Sequence, residues 1–198
     1  MTAIIRLSTE NDAEQIQAIY APVVRGSATS FELEPPTVAE MRRRIADTLP
    51  QFPWLVCENG GRVIGYAYAR KHRARAAYQW SVDTSVYIHP EMHRRGIGRA
   101  LYRSLFPLLG LQNYCNAYAG IALPNPGSVG LHEAVGFQPV GIYREVGYKL
   151  GAWHDVGWWY LSLQPKTPAP PRPLDTKEAQ TMPQWQTALA AGAALLRG

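Results

Sequence analysis

The sequence predicts an α/β protein in which helices flank a mixed, mostly antiparallel sheet, and three observations support this. Apolar residues make up 46% of the 198 residues and charged residues 18%, a globular composition in a chain long enough for one substantial core. The 11 Tyr and 6 Trp favour a core rich in β-structure over a simple helical bundle. Extended segments also alternate along the chain with segments of helical periodicity.

Seven segments are predicted as strands. The strongest local signal is Asn59-Gly60-Gly61, which separates two β-rich runs and indicates a hairpin. The other segments are extended runs rich in aromatic and β-branched residues. The predicted strands comprise residues 4–7, 54–58, 62–70, 77–88, 114–123, 137–149 and 153–163.

Four segments show helical periodicity. Thr9 with Asp12, and Thr37 with Glu40, have the spacing of capping boxes and predict the starts of the first two helices. The third and fourth helices are predicted at residues 96–105 and 128–135. Each helix is expected to end or bend at a proline or a glycine, namely Pro22, Pro50, Pro107 and Gly136.

The domain organisation is predicted as one domain over residues 1–163 with an appendage over residues 164–198. Residues 164–173 contain five prolines, which is typical of an extended arm. Residues 175–198 are rich in alanine and could form a short helix. This last segment either docks on the domain or forms a mobile tail.

The formal charge of +5 and a pI of about 9.3 are compatible with nucleic acid, a membrane surface or a small polyanion as partner. No basic run carries interleaved aromatic residues and no apolar segment reaches membrane-spanning length, so we expect neither nucleic acid nor membrane. Cys57 and Cys115 lie in apolar runs without metal-ligand spacing, which predicts buried free thiols and no metal site. With no signal-peptide pattern after Met1, we expect a cytoplasmic protein.

A basic, glycine-bearing turn joins a predicted strand to a predicted helix at His93-Arg94-Arg95-Gly96-Ile97-Gly98. Glycines let the backbone approach a ligand closely, and the first amides of a helix attract an anion. Arg94, Arg95 and Arg99 add positive charge. Taken alone, the segment indicates either an anion site or a tight strand–helix turn, and it lacks the spacing of a dinucleotide fingerprint or a Walker loop.

This turn resembles the coenzyme A motif of the Gcn5-related N-acetyltransferases (GNAT), whose pattern is Gln/Arg-x-x-Gly-x-Gly/Ala, with His93 at the first position here. Further motifs resemble, in the same order, those of the phosphinothricin acetyltransferases. They are Phe52-Pro53-Trp54-Leu55-Val56, Tyr78-Gln79-Trp80-Ser81-Val82-Asp83, Leu123-Pro124-Asn125, Leu131-His132-Glu133-Ala134, Gly147-Tyr148-Lys149 and Trp153-His154-Asp155-Val156-Gly157. The resemblance covers roughly residues 3 to 173, and ordered motifs are more specific than any single one.

The resemblance implies a GNAT fold whose two central strands splay to admit acetyl-CoA as co-substrate, without a metal, in a homodimer. It implies acetyl transfer to the α-amine of phosphinothricin, methionine sulfoximine or a similar small amino acid. Asn125 matches a residue that binds pantetheine, although capping of the short helix is an alternative role. The residues expected to bind the cofactor are Val86, Tyr87, Ile88, His93, Arg94, Arg95, Gly96, Ile97, Gly98, Arg99 and Asn125.

Two catalytic residues are expected from the resemblance. An ammonium has no lone pair, so a base must remove a proton directly or through water, and Asp83 stands where the family has Glu. Aspartate is one methylene shorter, which favours a bridging water; the alternative is a strand carboxylate paired with an arginine. His132 matches a family histidine expected to act as the acid for the leaving thiolate or as a second base, although a lone helical histidine is more often structural.

Four further residues match positions that line the family's substrate pocket: Phe31, Arg73, Arg75 and Tyr78. Guanidinium groups bind a carboxylate or phosphinate through paired donors, although a solvated charged loop would carry the same arginines. Core packing is the alternative for Phe31. Two other functions stay open at this point: a non-catalytic acyl-CoA-binding sensor and a peptide N-terminal acetyltransferase.

Overall fold

The computed structural model describes residues 3–196, in which a seven-stranded sheet forms the centre of the fold. The strands are β1 (Ile4–Leu7), β2 (Trp54–Asn59), β3 (Arg62–Lys71), β4 (Ser81–Ile88), β5 (Asn116–Ala122), β6 (Gln138–Lys149) and β7 (Ala152–Ser162). They are arranged in the order β1-β2-β3-β4-β5-β7-β6. All neighbouring strands are antiparallel except β4 and β5, which are parallel, so the predicted mixed, mostly antiparallel sheet is confirmed.

Six α-helices occur within the described residues: α1 (Ala13–Gly26), α2 (Val38–Thr48), α3 (Ile97–Leu111), α4 (Pro126–Ala134), α5 (Thr176–Gln180) and α6 (Trp185–Ala190). Single 3-10 turns lie at Glu10–Asp12, Ala76–Tyr78, Pro90–Met92 and Ala193–Leu196. In residues 3–196, no helix combines the length and the apolar character needed to cross a membrane. The capping box predicted at Thr9 is present. At Thr37 only half of the predicted box forms: the Thr37 hydroxyl accepts from the Glu40 amide at 3.1 Å, whereas the Glu40 carboxylate pairs with Arg43 and Arg44.

Three predicted boundaries were wrong. Helix α1 does not end at Pro22 but continues to Gly26, because Tyr20, Ala21 and Val24 on both sides of the proline are buried. Helix α3 continues through Pro107 to Leu111, because Leu105, Leu108 and Leu109 are fully buried and their packing offsets the hydrogen bond that the proline removes. The extended segment predicted from residue 77 begins as a strand only at Ser81, because Ala76–Tyr78 forms a 3-10 turn before it.

The sheet separates two apolar clusters, as expected when successive side chains of a strand point to opposite faces. In β2, Trp54 and Val56 pack with α1 and α2, whereas Leu55 and Cys57 belong to the cluster that contains α3. Cys57 and Cys115 are both buried free thiols, as predicted.

The C-terminal segment docks on the domain, which decides between the two alternatives left by the sequence. Ala179, Trp185 and Ala188 are buried in the same cluster as α3. The Ser104 hydroxyl donates to the Leu189 carbonyl oxygen at 2.7 Å and accepts from the Gly192 amide at 3.0 Å. These contacts place the segment along α3.

Candidate functional site

The gap between β4 and β5 is the central feature of the site. The two strands pair only where Ser81–Asp83 lies beside Asn116–Tyr118. Beyond Asp83 this parallel ladder ends, so β4 keeps its ladder to β3 while its other edge faces a narrow slot of about 50 Å³. The slot is lined by Thr29, Thr84, Ser85, Val86, Tyr87, Ala119, Gly120, Ile121, Ala122, Asn125, Ser128 and His132. The splayed central strands expected from the sequence are therefore present.

The glycine turn lies at the N-terminus of α3. Arg94 and Gly96 adopt φ angles of 61° and 75°, and the left-handed conformation at the N-cap position suits glycine. Arg94, Arg95 and Arg99 are exposed around this turn. The first amides of a helix have no intrahelical acceptor, so the turn combines free N–H groups with positive charge and fits a polyanion.

Two members of the predicted motif have structural contacts of their own. A Cβ atom on Gly98 would lie 2.7 Å from the Leu131 side chain, so glycine here permits the close approach of α4. The His93 ring donates from Nε2 to the Ile88 carbonyl oxygen at 3.0 Å, which ties the turn to the end of β4. The strand and the turn therefore present their backbones in a fixed relation.

Asp83 occupies the last position at which β4 pairs with β5, and it is 7% exposed. Its Oδ1 accepts a hydrogen bond from His72 Nδ1 at 2.6 Å, and its Oδ2 lies 3.7 Å from Arg70 Nε. Burial raises the pKa of Asp83, and the hydrogen bond from His72 opposes that rise. The main partner of this carboxylate is thus a histidine, with an arginine farther away.

Sequence reasoning missed His72. The residue follows the last residue of β3, and its ring stacks on Tyr118 with centroids 4.4 Å apart and planes 17° apart. The edges of Tyr78 and Trp158 complete its surroundings at 6.0 and 6.1 Å. No local sequence signal could have found it, because the contact depends on the β3–β4 register, in which Asp83 pairs with Arg70 and His72 follows two residues later in the chain.

A larger cavity of about 760 Å³ lies on the face of the sheet that carries Asp83. Ser85 and Tyr87, which alternate with Asp83 along one face of β4, line both this cavity and the slot, so the two spaces meet. Eight of the 20 residues that line it are aromatic, namely Tyr20, Phe31, Trp54, Tyr66, Tyr68, Tyr87, Tyr143 and Trp158.

The charged groups that line the cavity are Arg44, Arg70 and Glu32. All three nitrogens of Arg44 are engaged, because Nε donates to Glu40 at 2.9 Å and the two terminal nitrogens donate to Glu32 at 2.7 and 3.1 Å. The indole nitrogens of Trp54 and Trp158 are buried and have no hydrogen-bond partner within residues 3–196. Arg70 is therefore the guanidinium group best placed for the oxygen atoms of a small ligand.

The four residues expected to bind substrate lie in different places. Phe31 lines the cavity, and Arg73 lies at its rim with the guanidinium carbon 5.5 Å from the Trp158 ring centroid. Tyr78 contacts His72, and Arg75 is an exposed residue that precedes the turn Ala76–Tyr78. Arg44 and Arg70, which the sequence did not single out, are the arginines that line the cavity.

His132 lies on α4 and is 3% exposed. Its Nδ1 is 2.8 Å from the Ser128 carbonyl oxygen and therefore donates, which leaves Nε2 to accept from the Tyr102 hydroxyl at 2.8 Å. Burial lowers the pKa of His132 and favours the neutral ring. Both ring nitrogens are thus engaged in the helix and the core.

Asn125 caps α4, as one of its two sequence interpretations predicted. Its Oδ1 accepts from the Ser128 amide at 3.0 Å, while the residue also lines the slot between β4 and β5. The cap fixes the start of α4 beside the splayed strands.

Comparison with known proteins gives concordant results. Residues 5–158 match the acetyltransferase (GNAT) domain family. The chain is 39% identical over 170 residues to a phosphinothricin N-acetyltransferase of Streptomyces viridochromogenes, covering 86% of this chain and 92% of the relative. It is 32% identical over 173 residues to an L-methionine sulfoximine/L-methionine sulfone acetyltransferase of Pseudomonas aeruginosa, covering 86% of this chain and all of that one.

Solved structures show the same similarity in three dimensions. A phosphinothricin acetyltransferase from Sinorhizobium meliloti in complex with AcCoA superposes with a TM-score of 0.81 at 34% identity. The superposition covers 86% of this chain and 94% of that protein.

Proposed function

Since the chain belongs to the acetyltransferase (GNAT) domain family and is an N-acetyltransferase, we propose that it transfers the acetyl group of acetyl-CoA to the α-amine of a small amino acid of the phosphinothricin or methionine sulfoximine type. One observation carries this proposal: the slot between β4 and β5 meets an aromatic cavity on the face of the sheet that carries Asp83. A thioester admitted through the slot and an amine held in the cavity would come together beside a carboxylate.

The residues present fit acetyl-CoA, which supplies the activated acyl group when bound. The amides at the start of α3, with Arg94, Arg95 and Arg99, would hold the pyrophosphate. The free edge of β4 at Val86–Ile88 would hydrogen-bond the pantetheine arm, with Asn125 on the opposite side of the slot. His93 and Gly98 would keep the turn and α4 in place through the contacts described above.

Recognition of the acceptor would come from the cavity and its charged and polar groups. Arg70 lies next to Asp83, and its guanidinium would provide paired donors for the acceptor's carboxylate. Arg44 on α2 is held by Glu32 and Glu40 and would keep that wall of the cavity in place. The indole N–H groups of Trp54 and Trp158, which have no partner within residues 3–196, would add two neutral donors. Phe31 and Trp158 would enclose the side chain, and Arg73 would add charge at the rim.

We assign Asp83 the negative charge that drives removal of a proton from the acceptor's ammonium group. For His132 the geometry supports a positioning role, because a neutral ring that donates to Ser128 and accepts from Tyr102 has no free proton for a leaving thiolate. It would hold α4, and with it Asn125, beside the slot.

An acceptor screen tests the proposed function. Thiol release from acetyl-CoA should be rapid with phosphinothricin, methionine sulfoximine or methionine sulfone, and slow with peptides that begin with alanine, because the cavity is lined by side chains on most sides. Calorimetric titration with acetyl-CoA measures binding of the co-substrate separately from turnover. Binding of acetyl-CoA without turnover on any acceptor would indicate a sensor, and turnover on peptides alone would indicate N-terminal acetylation.

We also propose that the protein is a homodimer formed through the β6–β7 hairpin. Strand β6 is an edge strand, and the hairpin exposes large apolar side chains, namely Val140, Ile142, Tyr143, Val146, Tyr148, Leu150 and Trp153. Such an apolar surface is typical of an interface between subunits. Light scattering should give twice the chain mass of 22.0 kDa.

A matched pair of variants locates this interface. Val140→Asp should yield monomers, because it places an unpaired charge in the interface, whereas Ile4→Asp on the opposite edge strand β1 should remain dimeric. Dimers that persist in Val140→Asp at micromolar concentration would place the interface elsewhere, and a monomeric wild type would refute the dimer.

A further inference from the structure

His72 is a buried basic side chain in the site that the proposed function does not yet use. Only 11% of its side chain is exposed, and Nδ1 lies 2.6 Å from Asp83 Oδ1. At that distance Nδ1 must carry the hydrogen, since a carboxylate only accepts. In the neutral ring, the lone pair is therefore on Nε2.

Nothing within residues 3–196 forms a hydrogen bond with Nε2 of His72. The ring itself is held firmly, because it stacks on Tyr118 and contacts the edges of Tyr78 and Trp158. Trp158 is also a wall residue of the acceptor cavity. The free basic nitrogen thus belongs to a fixed ring next to the place where the amine would lie.

We propose that His72 is the catalytic base and that Asp83 acts through it, as the residue that orients the imidazole and stabilises its charged form. The inference deepens the proposed function and rests on it. A carboxylate that orients an imidazole in this way is a common arrangement for activating a nucleophile.

An N–H bond of the acceptor's ammonium breaks and its proton moves to His72 Nε2, giving an imidazolium paired with Asp83. The freed lone pair forms the C–N bond with the thioester carbonyl carbon, and the C–S bond breaks with its electron pair remaining on sulfur. The second amine proton neutralises that sulfur, and His72 later releases the first proton to water.

This arrangement accounts for the aspartate at position 83. An aspartate is one methylene shorter than a glutamate, so its carboxylate oxygens reach less far from the strand. In this chain an imidazole fills the interval and carries the basic atom outward by the width of its ring. A bridging water is then no longer required.

The charges around the pair support the same assignment. Burial raises the pKa of Asp83, and His72, Arg70 from β3 and Arg73 from the following loop oppose that rise. Their nearby positive charge or donated hydrogen bond favours the carboxylate form that the assignment requires. Tyr78, Tyr118 and Trp158 surround the ring with aromatic groups.

Three substitutions of His72 test the proposal. Each variant is compared with the wild type, whose turnover with the amino-acid acceptor is measured first. His72→Asn keeps an N–H donor toward Asp83 but has no basic nitrogen, and His72→Phe keeps the ring stack alone. Both should lower kcat by about 10²-fold or more without changing the affinity for acetyl-CoA. His72→Asn should also retain the melting temperature, because its amide still donates to the buried Asp83 carboxylate, whereas His72→Phe leaves that carboxylate without this partner. His72→Ala should lose activity similarly and regain part of it when free imidazole is added.

The control is His89→Asn, which changes a histidine at the end of β4 outside the cavity and should leave kcat and its pH dependence unchanged. Near-normal kcat with an unchanged acidic limb in His72→Asn would overturn the proposal, because the ring would then serve only to orient Asp83. Failure of imidazole rescue in a folded His72→Ala variant that binds acetyl-CoA would also count against it. Absence of turnover in the wild type would instead refute the proposed function.

Discussion

Asp83→Asn is expected to lower kcat by about 10²- to 10⁴-fold, because it removes the charge that makes proton removal from the acceptor favourable. The substitution is nearly isosteric, and the amide oxygen can still accept the hydrogen bond from His72 Nδ1. The shape of the site is therefore retained while its electrostatics change. Initial rates of thiol release measure the effect, and titration with acetyl-CoA should show unchanged affinity.

The fall of kcat/KM at low pH provides a second measurement of the effect of Asp83→Asn. Below the pKa of the base, the protonated form accumulates and kcat/KM falls, so the limb lies where the base titrates. Burial raises the pKa of Asp83, so protonation of this carboxylate begins at a higher pH than for an exposed aspartate. In the wild type, kcat/KM should therefore fall as pH decreases through the raised pKa of Asp83, and this acidic limb should change in Asp83→Asn.

Asp47→Asn serves as the matched control, because it removes an aspartate charge from the exposed surface of α2. It should leave kcat within about twofold of wild type, since exposed charges far from the site interact weakly through solvent. Near-normal turnover in Asp83→Asn would mean that the base lies elsewhere. A large loss in Asp47→Asn would show that the effect is a general one of net charge.

Local sequence signals predicted the parts of the fold that depend on a few neighbouring residues. The hairpin at Asn59-Gly60-Gly61 and the cap at Thr37 both depend on backbone conformation within one turn, and sequence encodes such conformation directly. Asp83 and Asn125 were proposed as site residues because they lie within ordered motifs.

The remaining site residues depend on register and packing, which local patterns do not specify. His72 meets Asp83 because of the β3–β4 pairing, and Arg44 reaches the cavity because α2 packs across the sheet beside β2 and β3. The hydrogen bond between Tyr102 and His132 joins α3 to α4, and the two residues lie 30 positions apart in sequence. Such pairs become visible only when the tertiary arrangement is known.

Local sequence patterns also did not show whether the C-terminal segment contributes to the stability of the protein. Its composition, rich in alanine and poor in large apolar residues, left docking and mobility as equal alternatives. The structure shows that one large side chain, Trp185, is 2% exposed and lies in the cluster with α3. Burial of a single indole supplies apolar area that several alanines would not.

Trp185→Ala is therefore expected to reduce the free energy of unfolding by about 3–5 kcal/mol, the usual cost of deleting a fully buried large aromatic side chain. That loss is a substantial fraction of the stability of a typical domain, about 5–15 kcal/mol. Urea denaturation followed by circular dichroism measures it. Gln186→Ala is the control, because Gln186 is exposed on the same short helix and should change stability by less than about 0.5 kcal/mol.

The described end of the C-terminal segment lies beside the glycine turn at the start of α3. Gly192 contacts Ser104 of α3, and the Leu195 carbonyl oxygen lies 4.0 Å from a Cβ built on Gly96, beside the amides expected to hold the pyrophosphate. Loss of docking in Trp185→Ala should therefore also raise KM for acetyl-CoA, while kcat at saturation changes little. An unfolding free energy equal to that of the wild type would show that the segment contributes nothing to the core. A lower stability with unchanged KM would separate the docking of the segment from cofactor binding at α3.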